Sequence, residues 1–297
     1  MNVFYLRLSG PLNISPVCRT AIGGWYEKRI AFLSELINRG HKVRLVGKVE
    51  YGNVWMGGLE DALFAPELKQ PDLVFIEFGS NNAQFYGKQL QYAEQVAMAY
   101  PGRVIYLCDD PELFWPHEGV QIINWFNARA NLPDNTYDFP FHVLVKDQAI
   151  QKPVYDELIY FGRFSGRKKL VHEIEQVVPL KIYSTDTEAG FAVTKPPMQN
   201  DRYDFYSSQM ASLSLNDAKH KHYQWRTGRA YHSIKAGCPV IVERGAESEL
   251  PGFSFVEEIP GLFKNIRTHR TRELQLQRNI IDMDTVVARQ TFKAFDL

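Results

Sequence analysis

The basic residues of this 297-residue chain are grouped in a way its balanced charge does not suggest, since 34 Lys and Arg face 34 Asp and Glu. Arg163, Arg167 and Lys168 stand in "YFGRFSGRKK", at the exit of an apolar run and the start of a helix-like segment. Arg226 and Arg229 flank Gly228 in "WRTGRAYHSIKAG", again at a helix start. A guanidinium fork holds phosphate oxygens bidentately. A cation at the N-terminal end of a helix opposes the macrodipole unless an anion is bound there. Two such groups in one half of the chain predict a diphosphate clamp built from Arg163, Arg167, Lys168, Arg226, Gly228 and Arg229. Gly23-Gly24, just before the first helix-like segment, reads either as a tight turn or as a close backbone approach to an anion. It is not a G-x-G-x-x-G fingerprint, which leaves a nicotinamide or flavin site without support.

Carboxylates supply a second chemistry. Asp109-Asp110-Pro111 follows the run "RVIYL", and an aspartate at a strand exit is placed to act as general base. Pro111 restricts Asp110 to an extended conformation. The same three residues also read as a helix N-cap with proline in the first turn. Glu77, closing "LVFIE", is the next candidate base. No metal site is expected. Cys18, Cys108 and Cys238 lie far apart and read as buried structural thiols. Lys219-His220-Lys221-His222 lacks a third ligand and reads as a solvated polar loop.

These residues need a scaffold that brings strand exits together. "MNVFYLRLSG" reads as a strand, the segment from Trp25 to Ile37 as a helix and "HKVRLVG" as a strand, which is the scale of a parallel crossover. "PDLVFIEFG", "AQFYGKQLQYAEQVAMAY", "GRVIYLCDD" and "FHVLVKD" continue the alternation. Residues 148–156, with Lys152-Pro153, read as a linker. A second series follows: "ELIYFG", a helix, "PLKIYST", a short helix at "YDFYSSQM", "ASLSLND", the helix "TGRAYHSIKAG", "CPVIVE" and "GFSFVEE". After Arg272 the chain reads as helical to its end, with Ile280, Met283, Val287 and Phe295 on one side. The expectation is therefore α/β, with two doubly wound domains facing a cleft: residues 1–150, residues 151–275, and a terminal helix, 276–297, packing back on the first. Without an apolar run of membrane-spanning length or a signal-like N-terminus, the reading is of a cytoplasmic protein.

The glycine-containing first loop, "YFGRFSGRKK" and "RTGRAYHSIKAGCPVIV" resemble the donor-site segments of GT-B nucleotide-sugar glycosyltransferases. Within that class the sequence is most similar to the small phage enzymes that glucosylate hydroxymethylcytosine in DNA. The resemblance covers the whole chain as architecture, but only these short segments as sequence. It implies that Arg163 and Arg167 grip the donor diphosphate, that Arg229 is the arginine of the donor helix, and that Asp109 or Asp110 is the base. His232, with Tyr231 beside it, stands where the family holds the ribose with a glutamate. The implied reaction moves a sugar, glucose or a pentose such as arabinose, from a UDP-sugar to the hydroxyl of 5-hydroxymethylcytosine in double-stranded DNA. No cofactor is tightly bound, although Mg²⁺ could aid product release, and the expected state is a monomer. Phe114 and Trp115 are then candidates to stack on an extruded base, and Lys219–His222 and Arg267–Arg272 are candidates to follow the phosphate backbone. A GT-B enzyme for a bacterial glycan or small molecule, and a non-catalytic nucleotide binder, are the competing readings.

Overall fold

The structure, a computed structural model, describes residues 1–7, 26–47, 70–77, 83–108, 115, 117–125, 128–139, 146–184, 186, 191–194, 202–245 and 250–297. The first half contributes β1 (Asn2–Arg7), α1 (Tyr26–Asn38), β2 (Lys42–Gly47), β3 (Leu73–Glu77), α2 (Ala83–Ala99), β4 (Val104–Cys108), β5 (Gln121–Asn124) and β6 (Thr136–Asp138). The second contributes β7 (Tyr155–Phe161), α3 (Lys168–Glu175), β8 (Leu180–Tyr183), β9 (Val193–Thr194), α4 (Arg202–Ser207), β10 (Gln209–Ser214), α5 (Ala218–His222), α6 (Gly228–Lys235), β11 (Val240–Glu243) and β12 (Gly252–Phe253). A final helix, α7 (Glu258–Ala294), closes the chain.

Every strand pairing is parallel, which explains why the strands read as unbroken apolar runs. In β4 all five residues, VIYLC, are buried. Two six-stranded sheets result, ordered β2-β1-β3-β4-β5-β6 and β12-β11-β10-β7-β8-β9. Read outward from β7, the second sheet has the doubly wound dinucleotide-binding order. Its strand order reverses between β7 and β10, and in such sheets a ligand crevice opens at that point, beyond the carboxyl ends of the strands. The predicted fold class is therefore found. The polar-flanked strands β5, β6 and β9 escaped the sequence reading because each is only two to four residues long. "FHVLVKD" falls largely outside the described residues.

Helix α7 departs most from expectation. It starts at Glu258, not after Arg272, and runs 37 residues with a kink at His269, where φ is −126° and ψ 30°. Pro260 does not stop it, because a first-turn N–H has no intrahelical acceptor to lose. Its early turns bury Ile259, Phe263 and Ile266 against the second sheet, with Leu274 and Ile281 following. Its last turns bury Ala288, Phe292 and Phe295 in the core of the first half. The passage between the two cores thus lies between Ile281 and Ala288. The expected apolar face was misjudged, since Met283 is 71% exposed. Phe292 enters an aromatic cluster, 4.8 Å from the ring of Phe139 and 6.0 Å from that of Phe32.

Two buried arginines of α7 secure the linker between the halves. Arg270 donates to the carbonyls of Gln151, Gln209, Met210 and Gly237. Arg278 donates to those of Gln148, Ile234 and Lys235, which places a cation at the C-terminal end of α6. Arg267 pairs with Asp156. Arg270 is thereby buried away from solvent, whereas Arg267 stays exposed. Trp115 is likewise a core residue, 4% exposed and packed edge-on to Tyr106. Cys108 and Cys238 are buried, as expected, and burial pushes the Cys238 thiol up to about 11; Cys18 lies outside the described residues. No helix among the described residues is long and apolar enough to cross a membrane.

Candidate anion site at the second switch point

The loop leaving β7 has a defined shape. The Tyr160 hydroxyl donates to the Arg163 carbonyl at 2.5 Å, the Phe164 N–H donates to Asp186 at 2.8 Å, and the Arg167 N–H closes a turn on the Phe164 carbonyl at 2.7 Å. Phe164 is buried and stacks on Phe191, 4.7 Å away. Gly166 has φ +68°, a conformation that favours glycine. Arg167 then stands at the N-cap of α3 without a side-chain cap bond.

Helix α6 meets this loop from across the sheet. Thr227 caps it by accepting from the Ala230 N–H, and its hydroxyl lies 3.1 Å from that of Ser214 on β10. Ser212 and Ser233 pair at 2.6 Å. These serine contacts satisfy hydroxyls inside an otherwise apolar interface and set the register of α6 on β10. Arg229, in the first turn, is thereby laid over Gly162, where a β-carbon would overlap its Nη1 and stand 3.0 Å from the Tyr160 hydroxyl.

The predicted residues separate into two groups. Arg167 and Arg229 are brought together, near enough that Arg229 joins burial in lowering the Arg167 pKa. Tyr160 lies beside both; burial raises its pKa while the two cations pull against the rise. Arg163 and Lys168 are exposed on the same loop, and Gly228 opens α6. Among the described residues neither Arg163 nor Arg229 has a carboxylate partner. His232, one turn beyond Arg229, is 7% exposed and stacks on Tyr203 of α4 with ring centroids 6.1 Å apart.

Arg226 and Tyr231 turn to Asp284 of α7. Arg226 is 2% exposed and its Nη1 lies 3.2 Å from Oδ2 of Asp284, which also accepts from the Tyr231 hydroxyl at 2.7 Å. The other oxygen of Asp284 accepts from Arg129 of the first half at 2.9 Å. Asp284 therefore ties both halves to α7.

Two residues of the site were not anticipated. Asp217, just past β10, caps α5 by accepting from the His220 N–H, and its Oδ2 accepts from Nη2 of Arg167 at 2.9 Å. His220 is 8% exposed, its Nδ1 lies 2.5 Å from Oδ1 of Asp217, and its ring stacks on Trp225 at 4.5 Å. Lys219–His222 is thus a capped helical turn and not a solvated loop, because Asp217 nucleates it and Trp225 covers its inner face. The signal was present as an aspartate three residues before His220. Burial lowers the His220 pKa to about 4, with the Asp217 carboxylate opposing and the guanidinium groups of Arg167 and Arg229 assisting. A neutral ring this close to a carboxylate oxygen donates Nδ1–H to it. Burial alone would raise the Asp217 pKa; the His220 hydrogen bonds and Arg167 outweigh it and hold the carboxyl below its ordinary range.

At the matching edge of the first sheet, the buried carboxylate of Glu77 accepts from the Tyr5 hydroxyl at 2.5 Å. Asp109 and Asp110 directly follow β4, and, with Gly23, Gly24 and Phe114, they lie outside the described residues. Among the described residues no group of three His, Cys, Asp or Glu side chains could hold a metal ion.

No family model matches the chain, and no curated protein matches its sequence. Solved structures do match over its full length. T4 phage BGT in complex with its UDP-glucose substrate aligns at a TM-score of 0.62 with 12% identity, covering 100% of both chains. Sucrose-phosphate synthase from Thermosynechococcus elongatus aligns at 0.61 with 11% identity, covering 99% of this chain and 98% of the other. Both have the GT-B architecture, and at this identity the likeness establishes that this chain shares it.

Proposed function

We propose that this GT-B chain is a glycosyltransferase that moves a sugar from a nucleoside diphosphate, a UDP-sugar, to an acceptor hydroxyl. The observation that carries the reading is that Arg229, laid over Gly162, comes close enough to Arg167 at the β7–β10 switch point to lower its pKa. Two guanidinium groups that repel each other are held together there, and a diphosphate relieves that repulsion. The neighbour solved with UDP-glucose supports this donor class.

In the proposed mechanism the acceptor oxygen attacks the anomeric carbon and its proton passes to Asp109 or Asp110. The bond from that carbon to the diphosphate oxygen breaks, and its electron pair leaves with the nucleoside diphosphate. Arg167 and Arg229, with Arg163 and Lys168 at the rim, neutralise the charge that develops on the leaving group. His232 is retained as the donor-side residue next along α6. Gly23 and Gly24 remain candidates for backbone contacts to the donor.

For the acceptor we favour the hydroxyl of 5-hydroxymethylcytosine in duplex DNA, on the resemblance of the "YFGRFSGRKK" and "RTGRAYHSIKAG" segments to the phage DNA-glucosylating enzymes. The equal likeness to sucrose-phosphate synthase favours a second reading, a small-molecule sugar acceptor. One assay separates them: radiolabelled UDP-glucose is incubated with the protein and either hydroxymethylated duplex DNA or hexose phosphates. Label in DNA supports the first reading, label in a soluble disaccharide phosphate supports the second, and no consumption of several UDP-sugars removes both.

A further inference from the structure

We propose that Asp217 competes with the donor diphosphate for Arg167 and so weakens the hold on the nucleoside diphosphate product, hastening its release. The proposal rests on the assignment of Arg167 to the diphosphate. Arg167 is 5% exposed, and its Nε has no hydrogen-bond partner among the described residues. Its Nη2 is engaged by Asp217, 2.9 Å away. Asp217 reaches it from the exit of β10, and the Asp217 Cβ lies 3.9 Å from where a β-carbon on Gly166 would stand. Asp217 follows β10, which with β7 borders the switch point where such sheets bind ligands.

It is also anchored there. Oδ1 accepts from the His220 N–H at 2.9 Å and from the His220 ring at 2.5 Å, and the ring is pinned by Trp225. An anion so fixed does not leave when a diphosphate arrives. Two anions sharing one buried guanidinium repel each other, and the half-buried setting of Asp217 screens that repulsion only in part. A carboxylate on a phosphate-binding arginine could instead aim it, and the two possibilities have opposite signs. Aiming makes removal of the Asp217 charge weaken the diphosphate, whereas competition makes it strengthen. Asp217 uses both oxygens, one for the His220 N–H and one for Arg167, and asparagine, with a single oxygen, keeps the helix cap but gives up the contact with Arg167. The sign of the change in diphosphate affinity then separates competition from aiming.

The test is calorimetric titration of the intact protein with UDP and with inorganic pyrophosphate, together with steady-state turnover of UDP-glucose. In Asp217→Asn, UDP is expected to bind about tenfold tighter, about 1.4 kcal/mol, with kcat and the donor KM both reduced because product release is slowed. Asp217→Ser, which also caps, is expected to change affinity in the same direction and guards against a poorly folded first variant. Arg167→Gln is expected to weaken UDP at least tenfold, which tests the underlying assignment separately. Weaker UDP binding by Arg167→Gln with unchanged or weaker binding by both Asp217 variants overturns the competition while leaving the diphosphate site intact. Unchanged binding by Arg167→Gln, or no binding of either probe to the unaltered protein, overturns the diphosphate assignment and the competition with it.

Discussion

The guanidinium of Arg229 occupies the space a β-carbon would take on Gly162. Two segments 67 positions apart in the chain, the β7 exit and the first turn of α6, are thereby fitted to one another through the absence of a side chain. The close approach, and not a positive φ, favours glycine at 162, because a β-carbon there would push the end of the Arg229 side chain aside. Gly162→Ala is expected to displace Arg229 and weaken UDP about 10- to 100-fold, the worth of one charge-assisted hydrogen bond. Titration calorimetry reads the affinity, and a thermal melt of the unliganded variant shows whether the fold is retained. Unchanged affinity in a folded variant contradicts the placement of Arg229 on the diphosphate.

The base proposed at Asp109 or Asp110 can be tested apart from donor binding. The double variant Asp109→Asn, Asp110→Asn is expected to lower kcat about 10²- to 10⁴-fold, as for loss of a general base, with UDP affinity unchanged. Single-turnover transfer from labelled donor is the measurement, and retained transfer removes both residues as candidates.

Arg226 behaves differently from its neighbour Arg229. Asp284→Asn removes the carboxylate charge beside the buried Arg226 and weakens the tie to Arg129. Removing one member of a buried pair costs about 3–5 kcal/mol, so denaturant unfolding is expected to shift by that order. The protein that remains folded is expected to bind UDP normally. A selective loss of UDP affinity with unaltered stability would instead return Arg226 to the diphosphate site.

Acid is expected to destabilise the protein in part through His220. Its pKa falls from 6.5 to about 4 on folding, chiefly through burial. The unfolded chain therefore binds the extra proton first, and stability falls as pH drops from about 6.5 to about 4. The full contribution is about 3 kcal/mol. Asp138, whose pKa burial raises, acts in the opposite direction, so the informative quantity is the difference between wild type and His220→Gln. Unfolding free energies measured across that range are expected to show a flatter dependence in the variant. Parallel curves would show that His220 is not the group responsible.

Phe292 carries α7 into the first half. Phe292→Ala removes a ring from the cluster with Phe32 and Phe139, and the guanidinium of Arg39 loses the face it covers at 4.4 Å. A loss of about 3–5 kcal/mol is expected. Because the same helix packs on both sheets, the transition of the first half should move most, which hydrogen exchange on β1 and β3 would resolve. Equal loss of protection in β7 and β10 would mean that the halves unfold as one unit.

The sequence alone determined the two alternating series, the parallel sheets and the strand exits at which Arg163, Arg167 and Arg229 stand. Those features are local, since a buried strand needs an unbroken apolar run and a glycine-bearing exit is visible within a few residues. It also determined that cations gather at two helix starts. Which of them face a ligand was decided by the tertiary structure. Arg226 and Arg229 are three residues apart on one helix start, yet one is neutralised by Asp284, 58 positions away, and the other lies over Gly162. The onset of α7 lies at Glu258, before Pro260, since a proline in a first turn costs no hydrogen bond. In the sequence His220 reads only as part of a polar loop and Asp217 as the end of "ASLSLND", and their meaning depended on β10 lying beside β7. A charge is committed or free according to what the fold brings within about 4 Å of it, and no spacing along the chain records that.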